Sequence, residues 1–177
     1  MRILISDDAA PDHAGKQSLC AFVEASDGNA APQLDLEDQP EQSSAILDAV
    51  GIALLNRGHL KRGRKLIERA LEQRIAVYGS DHPTTSASIN TYARALRMDG
   101  QLGDAEREAR RAININARVY GGKGYPMVMS LFELAVVQLA QNDFTGAEQS
   151  ASSAYSILEA LHLDCKDPYA SRLLDIL

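Results

Sequence analysis

From residue 41 onward, apolar and polar positions alternate with the roughly 3.6-residue period of helices that bury one face. Ile46, Leu47, Val50, Leu54 and Leu55 mark one stripe and predict a helix over 41–56. After Arg57-Gly58-His59 turns the chain, Leu66, Ile67, Ala70, Leu71 and Ile75 predict a helix over 61–78. Ile89, Tyr92, Ala93 and Leu96 place the next over 84–99. Its successor, over 102–120, turns Ala105, Ala109, Ala112, Ile113 and Val119 inward. Leu131, Leu134, Ala135 and Leu139 predict a helix over 127–141; Ala147, Ala151, Ala154, Tyr155 and Leu158 predict one over 144–161. Breaks fall at Pro83, Pro126 and Pro168, because proline ends one helix and suits the first turn of another. Asp81 or His82 is expected to cap the helix after Pro83.

The stripes recur in register. Ala70, Ala112 and Ala154 stand 42 residues apart, and so do Leu60, Leu102 and Phe144. The turn positions Gly58, Gly100 and Asn142 keep the same spacing, as do Tyr78 and Tyr120. A fixed period of this size is the mark of stacked helix pairs, none of which buries its apolar face alone. Such stacks present long concave surfaces and cap their ends.

Small residues occupy the positions where paired helices cross: Gly51, Ala93 and Ala135 in the first helices, with Gly63, Ala105 and Ala147 in the second. With the turn residues and Tyr78-Gly-Ser-Asp-His-Pro83, these resemble tetratricopeptide repeats, in the 42-residue variant of kinesin light chains. The resemblance spans about residues 41–177. It implies an all-α, right-handed superhelical stack of about three helix–turn–helix repeats with terminal capping helices. The units are then about 41–82, 83–125 and 126–167, followed by a C-terminal helix over 168–177. The chain departs from the family where a peptide-gripping asparagine is common. Ala49, Thr91 and Glu133 stand there, with an asparagine only next door at Asn90, so a standard carboxylate clamp is not expected.

Charge changes the picture at the N-terminus. Residues 1–45 hold 9 acidic and 2 basic residues, whereas 46–177 hold 15 and 16. Residues 1–40 read as an acidic leader, with a short capping helix expected over Gly15–Ala25. No apolar run suits a membrane span or signal peptide, and Cys20 and Cys165 lack metal spacing, so a cytoplasmic protein is expected. His13, His59, His82 and His162 are far apart, and Gly121-Gly-Lys-Gly124 lacks the spacing of a phosphate loop. The opening Arg2-Ile-Leu-Ile-Ser-Asp-Asp8 resembles the first strand of a receiver domain, but repeats begin too soon afterwards for that fold. A non-enzyme without cofactor or metal is the expectation.

Binding is therefore expected on the face formed by the first helices. Helical spacing assigns to that groove Asp48, Ile52 and Leu55, then Asn90, Arg94 and Arg97, then Phe132, Val136 and Leu139. Two guanidinium groups beside an apolar wall suit a peptide or protein partner with acidic residues. Leu34–Asp38 alternates apolar and acidic residues and is a candidate for intramolecular docking. One alternative uses the basic stretch 57–74 with Arg107, Arg110, Arg111 and Arg118 for regulation or nucleic acid, though the acidic total disfavours nucleic acid. Another is self-association, as a homodimer or scaffold, through the terminal repeats.

Overall fold

The computed structural model describes residues 40–163 and 167–177, all within one compact unit, Leu36–Leu177. The expected helix over Gly15–Ala25 and the docking segment Leu34–Asp38 lie outside the described residues. Those residues form seven helices and no strand: α1 Pro40–Asn56, α2 Leu60–Tyr78, α3 Pro83–Met98, α4 Leu102–Tyr120, α5 Tyr125–Ala140, α6 Phe144–Ala160 and α7 Pro168–Leu174.

Each helix pair is closed by the same turn. Gly58 and Gly100 take positive φ angles of 85° and 80°, and Asn142 takes 64°. Glycine adopts this left-handed backbone without steric cost, and asparagine tolerates it. The next residue then donates its N–H back to the helix, from His59 to Leu54, Gln101 to Leu96 and Asp143 to Gln138, each at 2.9 Å. That six-to-one bond satisfies a carbonyl that the helix end leaves orphaned. The starts of α3 and α7 are fixed as well. Thr84 N–H donates to His82 Nδ1 at 3.2 Å, and Tyr169 N–H donates to Asp167 at 2.8 Å. His82, not Asp81, is thus the cap; Asp81 instead pairs with Arg118.

Within each pair the small residues let the backbones meet. Ala93, Ala105, Ala135 and Ala147 are fully buried, and the first pair uses Gly51 and Gly63 instead. Between pairs, Leu71 of α2 packs on Ile89 of α3 and on Ala112 and Ile115 of α4. Leu134 of α5 fills the same role against Ala93 and Ala109. Val119, expected inward, is 45% exposed. It sits in the last turn of α4, and its register mates Val77 and Leu161 are exposed alike.

The curvature follows from which helices touch. Among the described residues the backbones of α1 and α3, of α3 and α5 and of α5 and α7 approach closely, whereas those of α2, α4 and α6 stay farther from one another. The first helices therefore line the tighter, inner face of the stack, and the second helices form the outer face.

Candidate protein-binding groove

The nine positions assigned to the groove do not share one environment. Leu55 is 2% exposed and packs against Ile67 of its own second helix and Ala95 of α3. Phe132 is also buried, with the Tyr169 ring edge-on at 5.1 Å and the Arg172 guanidinium over its face at 4.3 Å. Ile52 and Val136 are half-buried at the edges of these clusters, and Leu139 is half-buried too.

Asp48, Asn90 and Phe132 occupy one register position and sit at the junctions between repeats. At the first junction Arg74 donates to Asp48 and to Ser88. At the second, Asn90 and Asn116 each donate Nδ2 to Ser130 Oγ at 2.9 Å. At the third, Phe132 meets Arg172, with Leu158 in the second-helix position. Each set is the previous one moved by 42 residues. Burial pushes the Asp48 carboxyl above its ordinary value, and the bond from Arg74 pulls it partly back.

The two arginines also differ. Arg97 Nε donates to Glu133 Oε1 at 3.0 Å, so its charge is already countered from the neighbouring repeat. Arg94 reaches only the neutral Asn56 Oδ1, at 3.4 Å. Sequence reasoning missed Arg172 and Tyr169, both supplied by α7. Burial pushes the Tyr169 hydroxyl upward, while Arg172 and Arg94 pull it down and Glu133 pushes it up. These four side chains thus share one electrostatic neighbourhood. Arg172 lies 42 residues after Ser130, in register with a serine, so only its place over Phe132 marks it.

On the outer face the arginines of α4 are engaged by acids. Arg107 pairs with Asp104, Arg110 with Glu106, Arg111 with Glu108 and Arg118 with Asp81. On α2, Arg64 bridges Asp99 at 2.9 Å and Arg74 turns in to Asp48. Lys61, Arg62, Lys65 and Arg69 are exposed. Among the described residues no group of three acids, histidines or cysteines could hold a metal ion, and no helix is long and apolar enough to cross a membrane.

Two helices per unit, small residues at the crossing and a left-handed turn residue describe one known repeat, whose family model, for the tetratricopeptide repeat, matches residues 42–117. Over those residues the chain is similar to tetratricopeptide repeats. Among solved structures, BtubC (BKLC) from P. vanneervenii superposes with a TM-score of 0.70 at 16% identity, covering 93% of this chain and 61% of that one. The Q17M form of the kinesin-light-chain nearly identical TPR-like repeats of Podosopora anserina gives 0.63 at 18% identity, covering 93% and 73%. The form without that change gives 0.61. At these identities the likeness is one of fold. Among proteins of curated function, none matches the sequence. Tetratricopeptide repeats generally mediate protein–protein interaction and typically serve as non-enzymatic scaffolds.

Proposed function

We propose that this chain is a cytoplasmic adaptor that binds a segment of another protein on the inner face formed by α1, α3, α5 and α7. The observation that carries the reading is the placement of Arg172 and Arg94 near Tyr169, with Glu133 and Asp167 as the acids there and Arg97 bridged to Glu133. Three cations against two acids leave this part of the inner face with one net positive charge in a chain of net charge −6. Ile52, Val136 and Leu139 supply half-buried apolar surface on the same helices. An extended peptide with acidic residues among apolar ones fits that combination. A groove held by packed repeats loses little ordering entropy on the receptor side. Since Arg97 is already bridged, Arg94 and Arg172 are the receivers of the acidic residues.

The test is capture from native lysate with wild type, Arg94→Glu/Arg172→Glu and Lys65→Glu/Arg69→Glu, followed by titration of the captured segment as a synthetic peptide. Loss in the inner-face variant alone supports the groove. Equal capture by wild type and the inner-face variant, or loss only in the outer-face variant, refutes it.

A further inference from the structure

The outer faces of the second helices carry different charge at the same register positions. On α2, Lys61, Arg62, Lys65 and Arg69 are all exposed. At 3.6 residues per turn they fall within about 100° of the helix circumference, so they form one stripe. Among the described residues none of the four is ion-paired; the bridged arginines of α2 are Arg64 and Arg74, which turn to Glu68, Asp99 and Asp48. One period later α4 carries Arg107 in place of Lys65 and Arg111 in place of Arg69. Each is countered on its own helix, Arg107 by Asp104 at 2.8 Å and Arg111 by Glu108 at 3.2 Å. On α2 the residues in those two acidic places are Arg62 and Leu66. One acid is thus reversed in charge, and the other is replaced by a buried apolar side chain. A further period on, α6 has Thr145, Gly146, Gln149 and Ser153 at the four positions, with no charge at all.

The fold therefore does not require the stripe, and the stripe is unfavourable in isolation. Like charges four residues apart on a helix repel, as Lys61 with Lys65 and Lys65 with Arg69. Lys61 and Arg62 also stand in the first turn, at the positive end of the helix dipole, where α2 has no acid and α4 has Asp104. An anionic partner relieves both. The dimensions of the stripe select which one. Lys61 to Arg69 covers about 12 Å along the axis, with a charge about every 6 Å. Glu72 closes it on the same face, and the next outer-face helix carries Asp104, Glu106 and Glu108, so the uncountered charge is one helix wide. A second helix with a carboxylate at every fourth residue has the same interval. No aromatic side chain stands in the stripe to stack a nucleobase. The exposed large apolar side chain of α2 is Val77, well beyond Arg69, so the stripe lacks the apolar face that enters a membrane surface.

We propose that the outer face of α2 docks an acidic helical segment of a partner protein, its carboxylates four residues apart and paired in turn with Lys61, Lys65 and Arg69, with Arg62 beside them. This surface is separate from the inner groove and takes a separate segment, so neither reading rests on the other.

The experiment is fluorescence anisotropy of labelled, alanine-rich synthetic helices titrated with the whole protein at low salt. One peptide carries glutamate at every fourth residue along one face; a second carries the same glutamates dispersed around the helix. The first is expected to bind saturably, about tenfold more tightly than the second, and to weaken as salt is raised. Lys65→Gln/Arg69→Ser installs the residues of α6 at exposed positions. It should keep the helical circular dichroism spectrum and lower the affinity about tenfold. Arg94→Glu/Arg172→Glu should bind the first peptide as wild type does. Equal binding of the two peptides, unchanged binding by Lys65→Gln/Arg69→Ser, or no saturable binding overturns the proposal. Tighter binding of oligouridylate or of phosphatidylserine vesicles than of the first peptide overturns it too, because a different anion then belongs on the stripe.

Discussion

The glycine contact between α1 and α2 predicts opposite outcomes for one substitution at two helical glycines. A methyl group on Gly63 would lie 2.7 Å from the Gly51 carbonyl oxygen and 2.8 and 2.9 Å from Cγ and Cδ2 of Leu55. The carbonyl belongs to a helix, and Leu55 is 2% exposed, so neither has room to yield. Overpacking of this kind costs about 1–3 kcal/mol. Alanine's better helix propensity offsets about 1 kcal/mol of that. Gly63→Ala should thus be destabilising by up to about 2 kcal/mol. Gly103→Ala meets nothing within 4 Å and should be stabilising by up to about 1 kcal/mol. At roughly 3 °C per kcal/mol for a chain of this length, the two variants should melt on either side of wild type. Thermal and urea unfolding followed by far-ultraviolet circular dichroism measures this, provided the urea slope stays constant. A Gly63→Ala protein as stable as wild type would show that α1 and α2 separate without cost, and the packing argument would be wrong.

Three further outcomes concern titration. Burial first, and then the bond to Asp167, push the Tyr125 hydroxyl up to about 12 from its ordinary 10.0. A raised folded value means that its contribution to stability is present below the unfolded value and is lost as the pH climbs towards 12. Tyr125→Phe should flatten that loss in alkaline unfolding curves. Glu106 is held below its ordinary value, chiefly by the bond from Gln141, with Arg110 adding to it. Its contribution is present above the unfolded value and is lost on acidification, so Gln141→Leu should raise the Glu106 titration midpoint seen by carboxyl NMR and reduce the acid-side loss. Asp48 behaves oppositely, because its raised carboxyl contributes stability that is present below the unfolded value and fades as the pH rises through the folded one. A carboxyl NMR titration placing Asp48 at or below the ordinary value would refute the burial argument.

The helices were legible in the chain because each is a local pattern. Apolar stripes, turn glycines and connector prolines act within a few residues of themselves, and the 42-residue register repeats them three times over. Ends were the weaker part: α7 stops at Leu174, and Val119 faces outward in a final turn that periodicity alone carries inward. The identity of Asn142 as a turn residue was also readable, since its register mates are glycines.

The state of the inner face was decided by tertiary structure. The 42-residue register makes Asp48, Asn90 and Phe132 equivalents, yet equivalence along the chain does not say what each one meets. Arg74, Ser130 and Arg172 arrive from other helices, 26 and 40 residues away from the side chains they serve. Likewise, two arginines on one helix look alike in sequence, and only the neighbouring helix gives Glu133 to Arg97 while leaving Arg94 with a neutral partner. A period in one chain determines where helices stack. Which charges cancel depends on side chains brought together by the stack itself.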